Sequence, residues 1–465
     1  MHTLRHIFCF GLLAIMSPLL DAKEPGTYTI TDFGARGDGR MVCTSAIQKA
    51  VDAAATNGGV VVIPPGTFLA GAIFLKSNVE LRLATNATLL AVTNDAAYPP
   101  VWTRIAGIEM EWPAALVNIC GQHNVKITGE GVIDGNGGFW WRKFWGEDGK
   151  GGMLKDYIRR GLRWAVDYDC QRVRAVVFYD SRDVEVRDIT ISQSGFWSLS
   201  FTYCKQVRVD GVKIRANVDG HGPSTDGIDI DSSREVLVEN CDIDANDDDI
   251  CLKAGRDADG LRVNRPTEKV IIRNCVTRSG HGMFTIGSET SGGIRDVEVT
   301  GLKAIGTTTG VRFKSTGQRG GVVRNIRIHD VQMTDVAYPF DFDVDWYPAY
   351  NRPKLPLDFP ADNVPPHWKI LMEPVVPAER GIPEFKDIQF ADITVNGART
   401  AINANAFAAK PLREFNWSNI VITAKTAGKI SNAADWQMCR MVIRTADQEP
   451  LKFSGTLNVP MPELH

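Results

Sequence analysis

Four short segments of this chain concentrate side chains that can move a proton or hold an anion. They are Asp226-Gly-Ile-Asp229-Ile230, Asp247-Asp248-Asp249-Ile250-Cys251-Leu252-Lys253, His281-Gly-Met-Phe284-Thr285-Ile286 and Gly310-Val311-Arg312-Phe313-Lys314. Carboxylates brought together repel, and folding gains nothing from that, so an assembled set points to chemistry. Crowding raises the pKa of one acid and leaves a proton for general acid work. Cleavage of a glycosidic bond needs such a set: one carboxylic acid protonates the leaving oxygen while another carboxylate activates water. Arg312 and Lys314, two apart on one strand, share a face. Arg through its fork and Lys as a point charge can hold a carboxylate. Lys253 and Asp229, on the same segments, join them as candidate substrate contacts. A calcium site or a solvated acidic ladder is the competing account of the aspartates, since Asp-rich turns in β-solenoids bind calcium. His281 and the Arg/Lys pair are poor company for that ion.

A repeat is what brings these segments together. Starting at Val184, Val207, Val236, Val270, Val297, Ile326, Ile388 and Phe415, the residues at offsets +2, +5 and +7 are almost all apolar. Offset +4 is Asp188, Gly211, Asn240, Asn274, Gly301, Asp330, Asp392 or Asn419, all turn formers that tolerate left-handed backbone. Each unit is therefore a short alternating strand, a bend and a second short strand, with one face buried. The first positions advance by 23, 29, 34, 27 and 29 residues from 184 to 326. Units this short, without a 3.6 period, stack as coils of a parallel β-helix. Cys241 and Cys275 fall in one interior column, where core stacking explains them.

The polar segments follow the same rhythm: Ile228 to Ile250 is 22 residues, Ile250 to Phe284 is 34 and Phe284 to Val311 is 27. Equivalent strands lie about 4.8 Å apart, so nearly 90 residues of chain collapse to about 15 Å. Asp226 then lies one rung from Asp247 and Asp248, His281 one further, and Arg312 and Lys314 one more. Residues 45–55 read as a short amphipathic helix ending near Asn57-Gly58, suited to covering the open end of the solenoid. Two stretches break the repeat and are expected as loop insertions: 139–174, with eight aromatics and nine Lys/Arg against five Asp/Glu, and the Pro-rich 345–380 with Trp346, Tyr347, Tyr350 and Arg352. Such side chains suit sugar stacking and carboxylate binding; self-packed loops are the alternative.

Composition bounds the rest. With 465 residues, 44% hydrophobic, and a formal net charge of −3, the chain has mass for a large core and no basic field for nucleic acid. His2, Arg5 and His6 precede an apolar run from Ile7 to Leu20, with Ala22 as a small cleavage residue. Residues 1–22 thus read as a secretory signal, too short to span a membrane comfortably, with 23–465 as a single catalytic domain. The eight cysteines after Ala22 show no CxxC and no zinc spacing.

With these residues in place, the chain resembles glycoside hydrolase family 28, the polygalacturonases. Their Asn-Thr-Asp, Asp-Asp, Gly-His-Gly and Arg-Ile-Lys signatures correspond in order to Ser224-Thr225-Asp226, Asp247-Asp248, Gly280-His281-Gly282 and Arg312-Phe313-Lys314. The opening Asp32-Phe33-Gly34-Ala35-Arg36-Gly37-Asp38-Gly39 also matches. The resemblance implies an all-β fold, a right-handed single-stranded parallel β-helix of the pectin-lyase type, and an inverting hydrolase without metal or cofactor. It implies Asp247 as general acid, Asp226 and Asp248 activating water, His281 supporting the acid, and Arg312 and Lys314 binding a galacturonate carboxylate. Ser224 stands where the family has Asn, and Phe313 where it has Ile; the first puts a contact to the sugar in doubt. Asp249 leaves the register of the pair open, and 247–248 is preferred because Ile-Cys-Leu-Lys-Ala-Gly-Arg follows as in family members. Gly287-Ser288-Glu289-Thr290-Ser291-Gly292-Gly293 resembles the exo-acting branch, for which 139–174 would wall off one end of the groove. The expected substrate is a pectic polysaccharide or oligogalacturonide, the expected state a secreted or periplasmic monomer. Rhamnogalacturonan or xylogalacturonan hydrolysis, a calcium-dependent pectate lyase and a non-catalytic polysaccharide-binding β-helix are the alternatives.

Overall fold

A strand of alternating residues that meets a left-handed residue at its fifth position must turn before it grows long. In the computed structural model, which describes residues 26–464 apart from position 219, the chain does this coil after coil. Val184, Val207, Val236, Val270, Val297, Ile326, Ile388 and Phe415 pair in succession, all in parallel. The second column, from Ile191 through Ile214, Ile243, Thr277, Ala304, Met333 and Val395 to Ile422, keeps the same register. All eight residues at offset +4 have φ between 54° and 66°. The fold is a parallel β-helix, its 34 strands stacked in parallel columns around the coils, beside a separate two-stranded hairpin. The signal-like segment 1–22 lies outside the described residues.

The interior is filled by the stacked apolar columns, which pass into aromatic rings toward the C-terminal coils. Phe313 stacks on Phe342 at 4.7 Å and Phe390 on Trp417 at 4.1 Å between ring centroids. Cys241 and Cys275 are free, buried thiols in that interior. The N-terminal helix Thr44–Ala55 buries Ala46, Ile47, Ala50, Val51 and Ala54, one face of a 3.6 period, against the first coils.

Among the described residues three long excursions leave the coils and gather over one face of the solenoid, joined there by the short helix Asp257–Val263, which packs on the hairpin and the second insertion. The hairpin of strands Pro100–Ile105 and Ile108–Pro113 has no counterpart in the sequence expectations. Its two-residue turn, Ala106-Gly107, has φ of 40° and 88°, the left-handed pair that a tight hairpin requires. Residues 139–174 fold mainly as helices Gly138–Trp145, Gly152–Arg159 and Val166–Asp169. The 345–380 stretch contributes helices Pro348–Asn351 and Pro366–Met372. The two insertions join: Trp164 meets Trp368 edge-on at 5.0 Å, and Asp169 accepts from Trp368 Nε1 at 3.0 Å and lies 2.5 Å from His367 Nε2. Ile105, Trp112, Trp164, Tyr168, Phe196 and Trp368 share one apolar cluster, so hairpin and insertions form a single superstructure.

Candidate active site

The four polar segments are neighbouring rungs. Ile228 pairs with Ile250, Ile250 with Phe284, and Phe284 with Val311. The inward Ile, Phe and Val side chains fix the register, because a one-residue slip would turn each apolar group outward. That register puts Asp226 at the start of strand Ile228–Asp231 and Asp247 and Asp248 at the start of strand Asp248–Lys253. His281 precedes strand Gly282–Ile286, and Arg312 and Lys314 lie on strand Thr309–Lys314. Glycine flanks His281 for a reason. Gly280 has φ of 118° with Asp247 O only 2.8 Å from where a Cβ would stand, and a Cβ on Gly282 would lie 2.3 Å from Thr285 Oγ1. Side chains there would push the histidine away from the acids.

Asp226, Asp247 and Asp248 present oxygens that all lie within 4.8 Å of one another. They differ sharply in surroundings. Asp248 is fully buried beneath the pocket: Lys314 Nζ donates to Oδ2 at 2.7 Å, and Arg312 Nη1 at 3.2 Å and Thr285 Oγ1 at 2.8 Å donate to Oδ1. Asp247 is partly open and faces His281 Nδ1 at 3.7 Å. Lys253 Nζ sits 3.5 Å from Asp226, from Asp229 and from Glu289. Asp226, Asp229 and Cys251 also have the spacing of a cation site, but the Lys253 ammonium already occupies the centre of those carboxylates. Asp249, the residue that left the register open, is buried outside the pocket and accepts from Ala245 N at 3.2 Å.

The protonation pattern follows from these partners. Burial pushes Asp226 well above the ordinary carboxylate value, and the nearby charges of Asp229 and Asp247 add to it. Burial also lifts Asp229 to about 7, with Lys253 opposing. For Asp247 burial acts upward, but His281 at 3.7 Å, with Lys314 and Arg312, outweighs it and holds the acid well below its usual range. Asp248 is likewise lowered: burial is overcome by Lys314 and Arg312. The neighbouring Asp247 carboxylate raises His281 from its ordinary value, against the opposing effect of burial. Crowding does leave a proton in the cluster of the resting protein, but on the Asp226 and Asp229 side. The shifts favour the ionised form of Asp247 and the protonated form of the His281 imidazole.

These residues open onto a pocket of about 210 Å³. It lies below the ~300–1,000 Å³ usual for drug-sized ligands and suits one sugar ring. Asp226, Asp247, Lys253, His281, Arg312 and Lys314 line it from the sheet; Asp229 and Asp248 lie behind them. Of the remaining wall, the sequence points to Trp346, Tyr347, Tyr350, Ser224 and Glu289 and misses Ala106, Arg163, Asp167 and Trp197. Arg163 and Asp167 come from the first insertion, joined at 2.8 Å, and their spacing of four residues was a visible signal. Ser224 turns its hydroxyl to Asp167 Oδ1 at 3.4 Å. Trp346, Tyr347 and Tyr350 come from the second insertion, with Lys314 4.7 Å from the Trp346 ring and Arg163 stacked near both tyrosines. Ala106 arrives on the hairpin turn, and Trp197 and Glu289 complete the lining. Glu289 is buried, which acts upward, yet Lys253 and Arg319 bring it down to about 2.

The chain as a whole is similar to known proteins. The family model described as Glycosyl hydrolases family 28 matches residues 60–355, and one described as Rhamnogalacturonase A/epimerase, pectate lyase-like, matches residues 28–90. A probable polygalacturonase of Vitis vinifera is 30% identical over 388 residues, covering 80% of this chain and 75% of the relative. An exo-poly-alpha-D-galacturonosidase of Dickeya chrysanthemi is 27% identical over 472 residues, covering 94% of this chain and 74% of the relative. Among solved structures, that of a hyperthermoactive exopolygalacturonase from Thermotoga maritima superposes with a TM-score of 0.72 at 27% identity, covering 86% of this chain and 89% of the other.

Proposed function

This chain belongs to glycosyl hydrolase family 28, the polygalacturonase family, and on that premise we propose that it removes α-linked galacturonic acid residues from the ends of pectic chains, with inversion. The observation that carries the reading is the convergence of Asp226, Asp247, His281, Arg312 and Lys314 on one pocket sized for a single sugar. A uronate carboxylate docked against Arg312 and Lys314 brings a negative charge to the cations that hold Asp247 down. Its arrival weakens their field, raises Asp247 and draws the proton from His281 toward the carboxylate, where it can be passed to the leaving oxygen. Asp226, with Asp248 behind it, takes the proton of the attacking water in the form of the site in which the proton of the Asp226 and Asp229 pair rests on Asp229 and Lys253 steadies the ionised Asp226. Lys253 tunes Asp226 and holds it in place.

The carboxylate gap is narrower than the roughly 6.5–9.5 Å typical of inverting pairs. That rule describes two carboxylates flanking a bond, and here three lie on one sheet, so the support for inversion is family membership. End-wise attack is supported by the walls that the hairpin and both insertions raise around the pocket, and by the exo-acting relatives. The signal-like residues 1–22 support export, and we take the mature protein as a secreted or periplasmic monomer.

Product analysis tests the proposal. With polygalacturonate, monogalacturonate should be the first product, insensitive to chelator, and proton NMR should show the β anomer first. Asp247→Asn should lower the rate by about 100-fold or more, the worth of a general acid. An unsaturated product, cleavage of rhamnogalacturonan oligosaccharides alone, or release of only longer oligomers would overturn it.

A further inference from the structure

The first residues of three successive strands, Arg182, Lys205 and Arg234, pair directly across neighbouring coils. Like charges placed opposite each other on a sheet destabilise it. The available counter-charges are weak: Asp183 lies 3.8 Å from Arg182 and Glu235 lies 3.8 Å from Lys205, both beyond hydrogen-bond range. Among the described residues Arg234 makes no ion pair. The next rung, Glu268, is engaged by Arg295. On a chain with net charge −3, this column is a local cationic excess that folding does not explain.

The column also borders a cavity. Arg182, Lys205, Arg234, Arg265 and Tyr203 line a depression of about 450 Å³, with Asp180 and Glu268 as its acids. A second hollow of about 320 Å³ adjoins it through Asp180, Tyr203 and Arg265 and adds Tyr179. The Arg265 guanidinium lies 4.7 Å from the Tyr203 ring and is 55% exposed. Arg265 has only Asp180 at 3.8 Å as a counter-charge, and aromatic rings beside such loosely paired cations suit a ligand that carries both sugar faces and carboxylates. The location is informative. Arg234 is on the coil of Asp226, three residues past the end of strand Ile228–Asp231, and Lys205 and Arg182 lie on the two preceding coils. The ladder therefore runs along the helix axis, one corner away from the sheet that bears the pocket.

We propose that this face is a second, non-catalytic binding site for an acidic polysaccharide, which holds a run of uronate residues on the Arg182, Lys205 and Arg234 ladder beside Tyr203. The identity of the ligand rests on the galacturonan reading of the pocket; the cationic site itself does not. Holding the polymer here keeps chain ends at high local concentration near the pocket. Short oligomers, unable to span both places, gain nothing.

The test is the triple variant Arg182→Ala/Lys205→Ala/Arg234→Ala in the full chain, with the single Arg234→Gln as a second, milder case. Removing mutually repelling charges should leave the melting temperature unchanged or raised. On long polygalacturonate kcat/KM should fall by about tenfold, while on trigalacturonate it stays the same, because only the polymer benefits from two attachments. Arg234→Gln should show the same split, smaller. Equal values for wild type and variant on both substrates, or a parallel fall on both, overturn the site. Electrophoresis through a gel containing polygalacturonate separates this from the hydrolase reading. Retardation of the wild type that the triple variant loses supports the site even if no bond is cut, and retardation that the variant keeps overturns it.

Discussion

Asp247 and His281 share a single proton, and where it rests decides the pH response. In the unliganded protein the imidazole is the favoured place: its carboxylate partner raises His281 from 6.5, while for Asp247 the upward push of burial is outweighed chiefly by that same partner. A general acid must be protonated to work, so kcat/KM should decline on the alkaline side as the pair, rather than either residue alone, loses its proton. The decline is expected above pH 6.5. In His281→Asn the strongest lowering influence on Asp247 is gone, but the only proton left to the pair is the carboxyl's own, so the alkaline limb should move to lower pH. A pH profile of kcat/KM on trigalacturonate measures this. An unmoved limb would assign the acid to the Asp226 and Asp229 pair, which burial and mutual charge also keep protonated. Residue types and spacing made the membership of this cluster legible. They did not make its protonation legible, because that depends on which carboxylate the Lys253, Arg312 and Lys314 charges reach.

At the scale of the element, the corner residue is what turns each coil on its way to the next site strand. Asn240 has φ of 57° and its Nδ2 donates to Asp210 Oδ1 one rung away at 2.8 Å. A β-branched residue in that conformation is strained by about 1–2 kcal/mol. Asn240→Val should therefore lower the thermal midpoint clearly, whereas Asn240→Gly, free of the Cβ penalty, should shift it far less; calorimetry on both variants decides. The same chemistry explains why the coils could be read from sequence. A period of two plus a turn former at a fixed offset marks each coil locally, and the stacking then follows. The hairpin at 100–113 gave no such mark. Its turn is Ala106-Gly107 in place of the Asn-Gly that usually announces a left-handed pair, and its position over the sheet is set by distant partners. Arg104 shows this: it is buried and bound to Asp231 at 3.0 Å across 127 residues of chain.

For the whole molecule, the question is what turns an open sheet face into a closed pocket. The insertions at 139–174 and 345–380 leave the solenoid on different coils, and Asp169, His367, Trp164 and Trp368 lock them together above the sheet. Their aromatic content was visible in the sequence; their mutual contact was not, since nothing local encodes which loop another loop will meet. Removing 139–174 outright would strip Trp140 and Trp164, both buried, from the core and report on folding more than on specificity. A narrower change isolates the wall. Arg163 lies 5.5 Å and 5.2 Å from the Tyr347 and Tyr350 rings and is pinned by Asp167, and Arg163 and Tyr347 both face the pocket. The double variant Arg163→Ala/Tyr347→Ala removes side chains at the meeting point of the two insertions and leaves the carboxylates, His281, Arg312 and Lys314 in place. If this junction limits the enzyme to chain ends, the variant should admit internal bonds: digests of polygalacturonate should shift from monogalacturonate alone to mixtures with di- and trigalacturonate, and solution viscosity should fall at a lower extent of hydrolysis. A loss of rate with monogalacturonate still the only product would mean that Arg163 and Tyr347 bind the terminal sugar without closing the groove, and that the hairpin carrying Ala106 is the barrier.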